Sequence, residues 1–436
     1  MRDIIKTILY SWKERPLPEP IAREVNIDEY LKTEPRKIVV ITGFRRAGKT
    51  YLLFHAIKEL LKEKSRDQII YVSFEDERIP LDKAFLSDLI PAIKEMSREK
   101  PEILFLDEIH AMPEWSRWLR RIYDTENFRI VITGSSSKLS NNEIPTELRG
   151  RSLEKKVFPL SFLEFLDFKN AGIRLESIKY SENQKAMLLS FFNEFLEYGG
   201  LPEIVLSPEN KKFEIVQSYY NTVVKKDIVD RFKVSNEEGL KVILRQLTNS
   251  TSYTISKMYN TLKSLNQEIG KSTVQTYISY IEASYFMHSL PIFSRTVKNQ
   301  LQYPRKVYLI DNAFISLLSS RFSNNKGRLF ENLAFIELAR RHANDPTKEL
   351  YYWKNQRQEE VDFVIKDDVK VVQLIQVCID ISDFDTKKRE LRALIQASNE
   401  LECADLLVLT EDFDGEESIK GKTIRYIPLW KWLLER

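Results

Sequence analysis

Three stretches of this sequence combine residue types and spacing that chemistry requires. The first is Gly43-Phe44-Arg45-Arg46-Ala47-Gly48-Lys49-Thr50, which fits G-x-x-x-x-G-K-[ST] and follows the mostly apolar run Lys37-Ile38-Val39-Val40-Ile41-Thr42. The order strand, glycine-rich loop, helix predicts a phosphate cradle. Glycines let backbone N–H groups curl around phosphate oxygens while the next helix points its positive end at them. Gly43 to Thr50 and the adjoining Tyr51 are therefore the expected nucleotide contacts. Lys49 is expected to reach the β- and γ-phosphates and Thr50 to ligate Mg²⁺, with ATP and Mg²⁺ as the cofactors.

The second stretch is Ile103-Leu104-Phe105-Leu106-Asp107-Glu108. An apolar strand ending abruptly in two carboxylates sets an Asp beside the Mg²⁺ shell and a Glu where it polarises the attacking water, so Asp107 is the expected metal-associated carboxylate and Glu108 the general base. The third is the strand Arg129-Ile130-Val131-Ile132-Thr133 running into Gly134-Ser135-Ser136-Ser137. In ATPases that insert a strand between the phosphate loop and the acidic strand, this strand carries a polar residue that holds water near the γ-phosphate. Ser135 is the expected one, against a plain serine-rich turn. Further on, Arg149 and Arg151 either complete a neighbouring subunit's site by stabilising charge on the transferred phosphoryl group, or are surface charges.

Several elements must hold these groups. Residues 1–36 contain Pro16, Pro18 and Pro20 and read as an irregular lead-in around the nucleotide domain, with Arg23 either near the base or solvated. The spacing of Leu52, Leu53, Ile57, Leu60 and Leu61 predicts a helix from Tyr51 to Lys64, and Ile69 to Phe74 reads as a second buried strand. Trp115, Trp118 and Leu119 fall at helical spacing and read as core packing.

Together with Leu106-Asp107-Glu108-Ile109, Thr133-Gly134-Ser135-Ser136, Gly150-Arg151 and Tyr198-Gly199-Gly200-Leu201-Pro202, the phosphate loop makes the chain resemble archaeal and bacterial AAA+-type ATPases that carry a C-terminal domain of uncharacterised type. The resemblance covers essentially the full length. It implies an α/β fold: an AAA+ core with a five-stranded parallel sheet over residues 1–160, then a helical lid over 161–233. Phe162, Phe165, Leu166, Leu188, Phe192 and Phe195 recur at spacings that suit such helices.

Residues 234–310 read as three short helices and a hairpin, the pattern of a winged helix-turn-helix. Lys271, Ser272, Thr273, Gln275 and Thr276, with Arg295 and Lys298 nearby, are of types that touch bases or phosphates. Such a module also serves as a packing domain. Residues 311–436 resemble a restriction-endonuclease-like α/β domain, in which Glu331, Asp362 and Gln376 match a metal-gathering triad. Cys378 stands where that fold carries its lysine, so the resemblance implies a degenerate nuclease domain used for binding or assembly.

Composition sets the outer bounds. At 436 residues the chain is too long for one compact core, and 43% hydrophobic with 30% charged residues suits globular domains rather than disorder. A net charge of +3 confines any nucleic-acid surface to a local patch. Two cysteines and four histidines argue against a disulfide framework or a Cys/His zinc cluster. No apolar stretch approaches the roughly 18 residues that cross a bilayer, and no signal peptide is recognisable, so a cytoplasmic location without membrane association is expected. The expected function is ATP hydrolysis coupled to DNA, by an oligomer and in one form a hexameric ring, as a motor or remodeller. The alternative is a nucleotide-dependent switch.

Overall fold

The computed structural model describes residues 1–134, 148, 150–178, 180–319, 326–381 and 383–435. They divide into two compact units, Met1–Phe158 and Pro159–Arg436.

In the first unit, helices α1 (Arg2–Glu14) and α2 (Ile27–Leu31) precede β1 (Ile38–Gly43), α3 (Lys49–Leu60), β2 (Ile69–Ser73), α4 (Lys83–Met96), β3 (Ile103–Asp107), α5 (Trp115–Thr125), β4 (Arg129–Gly134) and β5 (Ser152–Val157). The strands form one parallel sheet of order β2-β3-β4-β1-β5. Every residue of β1 and β3 is buried, which is why both read as unbroken apolar runs. Parallel pairing brings the ends of β1, β3 and β4 to the same edge, with Ile41 beside Thr133 and Leu106 beside Ile132. The chemistry-bearing residues leave the sheet at that carboxyl edge.

The lead-in is less irregular than its prolines suggest. Ile5, Ile8, Leu9 and Trp12 recur at i, i+3, i+4 and i+7 and are all buried, so α1 packs an apolar stripe against α4 and β2. The prolines fall after it, in an extended segment anchored by Arg23, whose guanidinium donates to Ala47 O at 2.9 Å and Phe158 O at 3.0 Å.

The second unit opens with α6 (Phe162–Phe168), α7 (Glu182–Tyr198), α8 (Pro202–Leu206) and α9 (Glu209–Thr222), the last continued by a π-helical stretch Val223–Asp230. Then come α10 (Glu237–Asn249), β6 (Ser252–Tyr253), α11 (Ile255–Ser264), α12 (Lys271–Ala283), β7 (Met287–Leu290), α13 (Val297–Gln302) and β8 (Arg305–Leu309), with the strands in the antiparallel order β6-β8-β7. After α14 (Asn312–Leu318) and α15 (Lys326–His342) follow β9 (Lys348–Lys354), β10 (Glu360–Asp367), β11 (Lys370–Val377), α16 (Phe384–Glu400), β12 (Leu406–Thr410), β13 (Gly415–Ile419), β14 (Lys422–Pro428) and α17 (Leu429–Trp432). Their sheet runs β13-β14-β12-β11-β10-β9 and is mixed, with β11, β12 and β14 parallel.

Two features set the position of β8. Asn332 on α15 bonds both backbone groups of Leu309, accepting from its N–H at 2.8 Å and donating to its C=O at 3.0 Å. Asp311, directly after β8, accepts from Ala313 N at 2.9 Å and Gly200 N at 2.8 Å. That carboxylate explains the first of the paired glycines, and a backbone carbonyl explains the second. A Cβ on Gly199, at φ +70°, would fall 1.7 Å from Asp311 Oδ1, and one on Gly200 would fall 2.4 Å from Leu160 O.

Candidate functional site

The phosphate loop leaves β1 through Gly43, at φ +144°, where a Cβ would meet Val157 O at 2.2 Å. Gly48, at φ +94°, opens α3 and lets Lys49 and Thr50 start the helix facing the acidic end of β3. Lys49 is buried. Its ammonium donates to Gly43 O and Phe44 O at 3.2 Å each and lies 3.7 Å from Glu108 Oε1. Arg45 pairs with Glu75 at 3.3 Å, and Tyr51 is exposed.

Asp107 is the hub of the acidic edge. Its Oδ2 accepts from Thr50 Oγ1 and Tyr71 OH, each at 2.9 Å, and its Oδ1 accepts from the hydroxyl of Thr133. Burial pushes this carboxyl above the usual range while the Thr133 hydroxyl pulls it back. Burial and the Asp107 charge both push the Tyr71 phenol well above its ordinary value, so it stays a donor. Glu108 sits at φ +54°, a left-handed conformation that turns the chain out of β3. Its N–H donates to Thr133 Oγ1 at 2.9 Å, and its carboxylate lies between Lys49 and His110, whose Nδ1 is 3.2 Å from Oε2. A cleft of about 500 Å³, lined in part by Arg15, Pro16, Thr50, Tyr51, Tyr71 and Asp107, opens beside this edge.

The oxygens of Thr50 and Asp107 are hard donors on the rim of a cleft, the small protein ligand set that Mg²⁺ takes when phosphates complete its shell. The residues therefore fit Mg²⁺. When bound there it would neutralise charge on the transferred phosphoryl group.

Of the other expected site residues, Ser135 and Arg149 lie outside the described residues. The polar group that β4 does deliver to the acidic edge is Thr133, legible only as a lone hydroxyl at the end of an apolar strand. Tyr71 and His110 were likewise missed, though His110 is two residues past Glu108. Arg151 precedes β5 at the amino edge of the sheet, where its C=O accepts from Ile38 N at 2.8 Å. It therefore stands at the edge opposite its own chain's phosphate loop. Its side chain pairs with Asp124 at 3.1 Å.

On α12, Lys271, Ser272, Gln275 and Thr276 are exposed and Thr273 is half-buried, whereas Val274, Tyr277, Ile278 and Ile281 form the inner face. Residues Phe232 to Ser235 border the outer face in a groove of about 250 Å³, and Phe232 stacks on Tyr280 with ring centres 4.0 Å apart. Arg295 and Lys298 are exposed in the β7–β8 connection, beside the exposed apolar Val297 and Leu301.

Glu331, Asp362 and Gln376 do come together, but around a residue that the sequence reading passed over. Lys306, on β8, places its ammonium 2.8 Å from Glu331 Oε1 and 2.8 Å from Asp362 Oδ1. Burial works against its charge, but Asp362 and Glu331 overcome this and hold its pKa well above the ordinary lysine value. Gln376 has its amide fully used: Oε1 accepts from Asp362 N at 3.2 Å and Nε2 donates to Glu390 at 2.6 Å. Cys378, just past β11, is buried, and burial pushes its thiol up to about 11, so it is neutral as expected. Two further lysines lie on β9 and β11: Lys354 reaches Glu360 at 3.3 Å, whereas Lys370 starts β11 at its exposed end.

Comparison with known proteins places this geometry. Residues 35–166 match the family model described as AAA domain, residues 190–325 match Domain of unknown function (DUF8612), and residues 326–432 match Domain of unknown function (DUF4143). A Methanocaldococcus jannaschii protein, Uncharacterized protein MJ1544, is 39% identical over 425 residues, which is 95% of this chain and 92% of that one. The chain belongs to the family of MJ1544, and its nucleotide domain is AAA+-type. A Haemophilus influenzae protein is 28% identical over 363 residues, covering 81% of this chain and 86% of its own length. Among solved structures, the Walker-type ATPase PABY2304 of Pyrococcus abyssi aligns over 69% of this chain and 98% of its own, at 13% identity and TM-score 0.46. Orc1 of Aeropyrum pernix, solved in complex with DNA, aligns over 66% and 87% at 15% identity and TM-score 0.33. No helix among the described residues is long and apolar enough to cross a membrane.

Proposed function

We propose that the chain hydrolyses ATP, with Glu108 as general base and Lys49 as the phosphate contact, and that hydrolysis is coupled to DNA held by the second unit. The observation that carries the ATPase reading is the convergence of Lys49, Thr50, Asp107, Glu108 and Thr133 at one sheet edge beside an open cleft. Nucleotide draws the Lys49 ammonium from the Gly43 and Phe44 carbonyls to phosphate oxygens, which frees Glu108 Oε1 to take a proton from the attacking water. Thr133 holds both acidic residues in register. Thr50 and Asp107 are the Mg²⁺ positions.

The DNA part rests on the helix–strand–helix–helix–hairpin order of residues 237–309, the winged-helix order. It also rests on the polar outer face of α12 and on Arg295 and Lys298 in the hairpin connection. The motor or remodeller reading implies self-association, in which Arg149 or Arg151 of one subunit serves another. One observation favours a second reading, a slow switch. Glu108 is engaged by both Lys49 and His110, an arrangement that restrains the base and suits slow turnover.

ATPase rates with no DNA and with duplex, single-stranded and four-way DNA separate the two. A motor gives strong stimulation. Tight nucleotide retention with unchanged turnover selects the switch, and no hydrolysis under any condition refutes Glu108 as general base.

A further inference from the structure

Lys306 is the most densely coordinated charge in the second unit. Its ammonium lies 2.8 Å from Glu331 Oε1, 2.8 Å from Asp362 Oδ1 and 2.6 Å from Glu360 Oε1, and its side chain is 8% exposed. An ammonium has three N–H donors; here two are hydrogen-bonded to Glu331 and Asp362, and the Glu360 carboxylate forms an ion pair with the same ammonium. The carboxylates are fixed in turn: Tyr308 OH donates to Glu331 Oε1 at 2.7 Å, and Val377 N donates to Asp362 Oδ2 at 2.9 Å.

Three carboxylates from α15 and β10 converge on one point only if a cation is there. The cation observed is a side chain from a different element, β8, locked in place by Asn332. The cluster is also reachable from outside, because Glu331, Glu360 and Asp362 line a cleft of about 580 Å³. Its oxygens stand at N–H···O distances from one centre, longer than the roughly 2.0–2.1 Å that Mg²⁺ demands. Among the described residues, no group of three or more His, Cys, Asp or Glu is placed to hold a metal ion.

We propose that Lys306 is a built-in replacement for a divalent cation, filling the cation position among Glu331, Glu360 and Asp362 so that the native chain takes no Mg²⁺ or Mn²⁺ there. The positive charge that metal would bring is supplied permanently by β8. The cluster thus works as an ionic joint between β8, α15 and β10, independent of metal supply. A charged ammonium enclosed by three carboxylates has no lone pair to offer a substrate, so the joint does no chemistry. The proposal does not depend on the ATPase assignment.

The test uses the full-length, nucleotide-free protein and Mn²⁺ alone, read by electron paramagnetic resonance and by thermal melting. Wild type should bind no Mn²⁺ that Asp362→Asn removes, and any Mn²⁺ effect on its melting temperature should be the same in Asp362→Asn. Lys306→Ala should gain one Mn²⁺ per chain and a Mn²⁺-dependent rise in melting temperature, both lost in Lys306→Ala/Asp362→Asn. Where Lys306→Ala does not fold, Lys306→Ala/Glu360→Gln, with one buried carboxylate fewer, should show the same gain. Wild-type Mn²⁺ binding abolished by Asp362→Asn overturns the proposal. So does a folded Lys306→Ala protein that gains no ion, or Mn²⁺-dependent DNA cleavage by wild type that Asp362→Asn removes.

Discussion

Thr133→Val tests the acidic edge with little change in shape, since it exchanges one buried hydroxyl for a methyl. That hydroxyl donates to Asp107 Oδ1 and accepts from Glu108 N at 2.9 Å, so one atom registers the metal-side carboxylate and the base. Deleting it removes a charge-assisted hydrogen bond, about 1.5–3 kcal/mol, and leaves a buried N–H without its acceptor, about 1–3 kcal/mol. Part of the loss falls on the folded protein as stability. If about 2 kcal/mol is expressed in the transition state, kcat falls about thirtyfold. Thr133 is buried and its hydroxyl is taken up by Asp107 and Glu108, so KM for ATP should hardly change. Steady-state phosphate release gives both constants, with Thr133→Ser as the control that keeps the hydroxyl and should stay within about threefold of wild type. A folded Thr133→Val protein whose kcat is also within about threefold of wild type would refute the role of Thr133.

Lys49→Ala should abolish hydrolysis and weaken nucleotide binding, whereas Glu108→Gln should bind nucleotide and not turn over; normal hydrolysis by Glu108→Gln removes it as the base. Arg151 pairs with Asp124 at the far edge of its own sheet, so Arg151→Ala should lower turnover only through another subunit, and unchanged turnover removes Arg151 from the site. Loss of turnover, with recovery on mixing Arg151→Ala and Lys49→Ala chains, would instead establish the role across subunits. Burial raises the Asp311 carboxyl to about 7 from 3.8, against the pull of the Ala313, Gly200 and Leu201 backbone donors and of the Arg340 charge. Its contribution to stability is therefore fully present below pH 3.8 and is lost as pH rises to about 7, by up to about 1.4 kcal/mol per pH unit. Denaturant melts across this range should flatten in Asp311→Asn, which keeps an acceptor for Gly200 N, and an unchanged pH slope would show that Asp311 is not the titrating group.

The sequence by itself determined the α/β fold of the first unit and singled out Lys49, Thr50, Asp107 and Glu108, which that fold brings to one sheet edge. The phosphate loop and the Asp107-Glu108 strand end are short, contiguous patterns whose meaning comes from local backbone geometry, and the buried parallel strands announce themselves as apolar runs. Helix α1 was legible too, since Ile5, Ile8, Leu9 and Trp12 carry the helical period, but the prolines that follow it drew the whole lead-in into one irregular segment. Only the tertiary structure decided the pairings between distant positions. Thr133 meets Asp107 across 26 residues because β4 and β3 are sheet neighbours in parallel register. Asp311 meets Gly200 across 111 residues, and its carboxylate fills the space that a side chain on Gly199 would need. Lys306 meets Glu331 across 25 residues and Asp362 across 56, joining a hairpin strand to a helix and another sheet. Read along the chain, Lys306 is one more basic residue beside Arg305 and the nuclease-like triad lacks its lysine. Folding puts that charge among the carboxylates, because Coulomb attraction acts through space and the period of a strand or helix carries no record of what lies opposite its buried face.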